Sequence, residues 1–123
     1  MYDVIVLFKP EIDVKVENVV ELAKAITVNS EAKVVQDEDV VSIENGEAKI
    51  TLEFANDASA QEEIQEIAAL FDIDCAACKS RVTMGGYDPE MELIDDYNIL
   101  IKRLSKNQHV ILFDPLEGAL LEP

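Results

Sequence analysis

Residues 40–54 read VVSIENGEAKITLEF, two alternating apolar runs that meet at Asn45-Gly46. Asn-Gly is the dipeptide most favoured in a two-residue type I′ turn, because both central residues there need positive φ. Pairing Glu44 with Glu47 sets Ile43 against Ala48 and Val41 against Ile50. Apolar side chains then share one face while Ser42 and Lys49 share the other. A hairpin with one apolar face is not stable alone, so the rest of the chain has to cover that face.

The flanking sequence supplies the cover. Residues 2–8, YDVIVLF, form a nearly unbroken apolar run that suits a central strand, and Pro10 ends it. Asp13 is positioned to cap a helix in which Val16, Val19, Val20, Ala23 and Ile26 recur at spacings of three and four, with Glu17, Glu21 and Lys24 on the opposite face. SAQE at 59–62 has the form of a capping box, Ser59 with Glu62, ahead of a stripe of Ile64, Ile67, Ala68 and Phe71. The stretch DIDCAACKSRVTMGGYDPE breaks the period. Val82 and Met84 alternate with Arg81 and Thr83, which predicts a short strand over 80–84 ended by Gly85-Gly86. A third helix opens at Asp88 as N-cap with Pro89 in its first position. Its stripe is Ile94, Tyr97, Ile101 and Leu104, helped by Leu93 and Leu100, and Lys102, Arg103 and Lys106 complement the dipole of its last turn. HVILF at 109–113 is a second apolar strand, Asp114 to Gly118 is a turn, and ALLE is a short edge strand.

This order predicts a single α+β domain over residues 1–123. Its first six elements match the split βαβ arrangement of ferredoxin-like folds, a βαββαβ core with a mainly antiparallel sheet. A third helix and a C-terminal strand or hairpin are added to that core, with 2–8 and 109–113 expected at the centre of the sheet.

Composition agrees with a packed domain: 49% of residues are hydrophobic and 29% charged. No apolar run approaches the ~20 residues of a membrane span. The N-terminus has no basic region and no small-residue cleavage site, and with two cysteines the expected setting is reduced and cytoplasmic. Charge is the strongest statement in the composition. Twenty-six acids against ten bases leave −16, and 14 of the acids fall in residues 1–62 against 12 in the remainder, so the whole surface is anionic. Such a field repels nucleic acid and anionic membranes and favours cationic partners, or simply keeps the chain soluble.

DIDCAACKSRV, residues 72–82, holds the two cysteines three apart with Lys79 and Arg81 behind them. It resembles the metal-binding loop of heavy-metal-associated domains, in which Cys-x-x-Cys is followed by an Arg-Val pair. The resemblance implies Cu(I) held by the thiolates of Cys75 and Cys78, with Arg81-Val82 in the helix that follows. The setting differs. A helical pattern leads in where that family has a strand, Gly85-Gly86 arrives only seven residues after Cys78, and Ile73 stands where members carry Met. A four-ligand zinc site finds two cysteines and a distant His109. In a redox pair, Lys79 and Arg81 favour the thiolate while Asp72 and Asp74 oppose it. The expectation is therefore two small residues, reduced, partly buried and about one helical turn apart.

The single histidine, His109, has no recognisable catalytic partner and is expected simply to begin a strand. TMGGYD lacks the spacing and the Lys of a phosphate loop. DEDVVS lacks the Gly and Glu of a calcium loop. Asp95-Asp96 is expected on a solvated helix face. No catalytic or cofactor signature is present, and a non-enzymatic binding protein without a cofactor is the leading class. ILFDPLEGALLE, a strand followed by an Asp-Pro-x-x-Gly turn, resembles the ends of small acidic single-domain bacterial proteins, among them immunity-type proteins that neutralise a cationic toxin. That resemblance implies a basic protein as partner. Two alternatives stay open: a copper or zinc protein using Cys75 and Cys78, and a ferredoxin-like homodimer that cradles a ligand between its sheets.

Overall fold

A computed structural model describes residues 2–28, 30–73 and 78–121. The chain is α+β. Its elements are β1 (Val4–Phe8), α1 (Val16–Ile26), β2 (Lys33–Asp37), β3 (Val40–Asn45), β4 (Ala48–Ala55), α2 (Ala58–Leu70), β5 (Ser80–Tyr87), α3 (Ile94–Ser105), β6 (Val110–Asp114) and β7 (Ala119–Leu120). The seven described strands form one sheet in the order β2-β3-β4-β5-β1-β6-β7, and every neighbouring pair is antiparallel.

Two apolar clusters lie on opposite faces of this sheet. On one face Val6, Val41, Ile43, Ile50, Leu52, Val82 and Met84 pack with Val19, Ala23 and Ile26 of α1 and Leu100 and Leu104 of α3. On the other, Leu7 and Phe113 pack with Ile64, Ile67 and Ala68 of α2. Val6 and Leu7 are 1% and 0% exposed although they point to opposite faces, which is why β1 has to be apolar without alternation. β4 is covered on one face only, and there the burial alternates: Ala48, Ile50, Leu52 and Phe54 are buried, and Lys49 and Glu53 are exposed.

The hairpin forms with a shifted register. Asn45 pairs with Ala48, Glu44 with Lys49, Ile43 with Ile50 and Val41 with Leu52. Gly46 and Glu47 are therefore the loop, and Gly46 alone supplies a positive φ, +62°. Glycine at the first loop position fits a type II′ turn and not the expected I′. Each partner moved by two residues, an even step, so the apolar face is unchanged.

A split βαβ unit, as expected for a ferredoxin-like core, has one strand between the two strands joined by its first helix. Here α1 joins β1 to β2, and β5, β4 and β3 all lie between them. The strands joined by α2, β4 and β5, are direct antiparallel neighbours with none between them, so the second half of the expected core is absent too, and residues 33–37 add an edge strand beyond β3. Nothing in KVVQD alternates, four of its five residues are exposed, and the hairpin turn into β3 puts Glu38 at φ +55°.

Local boundaries also move. α1 begins after Lys15, whose backbone N–H donates to Asn18 Oδ1 at 2.8 Å, so Asp13 is not its cap. The cap of α2 is Asp57, which accepts from the Ala60 N–H at 2.9 Å, and Ser59 lies inside the helix. Its C-terminus closes with Asp72 at φ +53° and the Ile73 N–H donating to the Ala68 carbonyl at 2.9 Å, a Schellman arrangement. β5 runs through Gly85 and Gly86 instead of ending there, and these pair with Thr51 and Ile50.

Candidate functional site

A cleft of about 410 Å³ lies where the C-terminal end of α1 meets α3. Carboxylates dominate its wall: Glu31, Glu92, Asp95 and Asp96 line it, with Ser30 and one cation, Arg103. Glu92 also lines a second cleft of about 220 Å³, under the β3–β4 turn, with Glu47, Asp88 and Glu90. The two form one anionic surface that joins the hairpin loop to the start of α3.

Asp96 sits at the floor of this surface, 6% exposed, where a solvated residue was expected. Burial raises its pKa, the Ser30 hydroxyl, which donates to Oδ2 at 3.1 Å, opposes that, and the neighbouring Asp95 adds to the rise. Ser30 Oγ in turn accepts the Ala32 N–H at 3.1 Å, which ties the α1–β2 connection to α3. Acids at the first turn of a helix are favoured by its dipole, so Asp95 and Asp96 are placed where the fold tolerates them best.

The start of α3 is anchored by Asp88, which is fully buried. Its carboxylate accepts the Glu92 and Leu93 N–H groups, each at 2.8 Å, and the Tyr2 hydroxyl. Burial pushes the Asp88 carboxyl up, but these three donors outweigh it and hold it below its ordinary value. Burial, the bond to Asp88 and its charge push Tyr2 the other way, up. Both groups are thus locked in one protonation state at neutral pH and serve as a structural bolt. Asp88 caps the turn that precedes α3; the helix itself begins at Ile94, not at Pro89. Sequence reasoning missed the partner, Tyr2, because 86 residues separate the pair.

The cysteine expectation divides. Cys75 lies outside the described residues. Cys78 is 3% exposed, lies in the link between α2 and β5, and is disulfide-bonded, which corrects the expectation of a reduced thiol on a helical turn. A disulfide sulfur is a poor thiolate ligand, and the described residues contain no group of three His, Cys, Asp or Glu placed to hold a metal ion. His109 stands directly before β6, with Nδ1 4.0 Å from Glu11 Oε2. Arg81, on the α2 face, places Nε 2.9 Å from Glu63 Oε1, a contact whose geometry leaves that N–H without a hydrogen bond. Its Nη1 donates to Thr83 Oγ1 at 2.6 Å.

Among the described residues no helix is long and apolar enough to cross a membrane. Comparison with known proteins finds no matching family model, no matching curated protein and no matching solved structure.

Proposed function

We propose that this chain is a non-enzymatic binding protein of the immunity or inhibitor kind, whose partner is a basic protein. The observation that carries the reading is the wall of the main cleft: four carboxylates against one Arg, continued through Glu92 into a second acidic cleft. A net charge of −16 makes the surface as a whole attractive to a cation, and the cleft gives that attraction a concave focus. Arginine and lysine side chains of a partner would enter beside Glu92 and Asp95, while Asp96 and Asp88 hold the walls in place.

A lysine-rich peptide of about ten residues is the probe, with association followed by stopped-flow fluorescence. Its on-rate is expected to fall about tenfold or more between low and physiological salt. Glu92→Lys and Asp95→Lys are each expected to slow association more than Glu66→Lys, on the distant α2. Equal losses at all three positions, or an on-rate insensitive to salt, would sink the reading.

A further inference from the structure

A third cleft has the opposite character. It measures about 340 Å³ and lies where β1 leaves the sheet and β5 enters it. Among the described residues its wall carries Lys9, Lys79, Ser80, Gln61 and Asn56, with Asp13 as the carboxylate, two cations to one acid on a chain of −16.

The β1–β5 register brings both lysines to this cleft. Its last pair is Phe8 with Ser80. Lys9 and Lys79 are the next residues beyond that pair, and both line the cleft. Among the described residues neither lysine has a carboxylate within ion-pair distance, although acids outnumber bases 26 to 10.

Ser80 provides an independent observation. It is 8% exposed and lines the cleft, and its hydroxyl has no hydrogen-bond partner among the described residues. Its oxygen keeps some contact with solvent, since the described residues hold a single wholly buried side-chain polar atom without a partner, Arg81 Nε, so the hydroxyl is free to donate to a molecule in the cleft. Gln61 adds a donor: one N–H of its amide reaches the Asn56 carbonyl at 3.2 Å, and the second remains.

We propose that this cleft is an anion site for a phosphate group, free or carried on a small ester, held between the Lys9 and Lys79 ammonium groups with the Ser80 hydroxyl as third donor. The donors come from the ends of β1 and β5 and from α2, and two ammonium groups with a hydroxyl suit the charge and several acceptor oxygens of a phosphate. The inference is independent of the acidic surface, which lies at the hairpin-loop end of the sheet.

The test is a ¹⁵N–¹H NMR titration of the full chain with inorganic phosphate, with chloride adjusted to hold ionic strength constant. Saturable shifts confined to the amides around Lys9, Gln61, Lys79 and Ser80 are expected. Lys9→Gln and Lys79→Gln should each weaken binding about tenfold, and Ser80→Ala severalfold, whereas Lys102→Gln should leave it unchanged. Both lysine changes are at strand ends, and an unaltered spectrum away from the cleft checks that the fold is intact. Linear shifts, shifts spread over Lys24, Lys33 and Lys102, or a midpoint indifferent to Lys79→Gln would each overturn the site. A response to acetate equal to that to phosphate would overturn the phosphate assignment. An ester such as glycerol phosphate that binds as tightly as the free ion supports a site that reads the phosphate group itself.

Discussion

Tyr2 and Asp88 show how one buried contact can join the two ends of a fold. Three donors converge on a carboxylate that is wholly removed from water, and each such bond to a charged group contributes about 1.5–3 kcal/mol. Tyr2→Phe is expected to destabilise the chain by roughly that amount, measured by urea unfolding at neutral pH. The pH dependence has a definite sign. Asp88 is held below its ordinary pKa, so its stabilisation is present above the unfolded carboxylate value, about 3.9, and is lost as pH falls through its lower folded value. In Tyr2→Phe one donor is gone, the folded value moves up toward the ordinary one, and less stability is lost on acidification below the unfolded value. An unchanged acid limb would contradict the role given to the pair. Asp96 works in the opposite sense: its raised pKa means that stability declines as pH rises through its folded value, since burial disfavours its charged form. Of these roles only the capping by Asp88 was legible in the sequence, and there with the helix start misplaced. Asp95 and Asp96 look alike on paper, and only the packing of α1 and the α1–β2 connection against α3 separates an exposed carboxylate from a buried one.

At the scale of elements, the glycine pair of β5 makes the clearest case. An added Cβ at Gly86 would meet the Tyr2 ring at 2.6 Å and the Lys49 carbonyl at 2.8 Å, and the backbone atom cannot step aside. At Gly85 the nearest atom is Thr51 Oγ1 at 3.4 Å, an ordinary contact. Gly86→Ala is therefore expected to cost about 1–3 kcal/mol. Gly85→Ala should be neutral or stabilise by up to ~1 kcal/mol, because glycine weakens a strand interior. Thermal unfolding of the two variants checks this, and equal losses would contradict it. The same pair misleads a reader of the sequence, since Gly-Gly ordinarily marks the end of a strand. The hairpin misleads more mildly: Asn45-Gly46 announces a turn, but the strands close one residue later. The face survives because the slip is even, and it is the buried face that the core enforces. β2 was invisible because an exposed edge strand needs no apolar alternation; its backbone pairs with β3 regardless of its side chains.

For the whole molecule, charge outweighs pairing. Among the described residues the Lys and Arg ion pairs are Lys49 with Glu44 and Arg81 with Glu63, few against 26 acids. Self-repulsion should thus exceed attraction, and added salt should stabilise the fold. Raising NaCl from about 0.01 M to about 1 M shortens the screening length from about 30 Å to about 3 Å, and the unfolding temperature is expected to rise across that range. A fall would mean that specific ion pairs dominate. The sequence alone determined the α+β class, the three helices, the apolar strands β1 and β6 and the anionic surface, because periodicity and composition are local quantities. Only the tertiary structure decided the strand order, the insertion of β2, the burial of Asp88 and Asp96, and the placing of Lys9 and Lys79 in one cleft. Each of these depends on residues far apart in the chain, and no local preference specifies which distant group a side chain will meet.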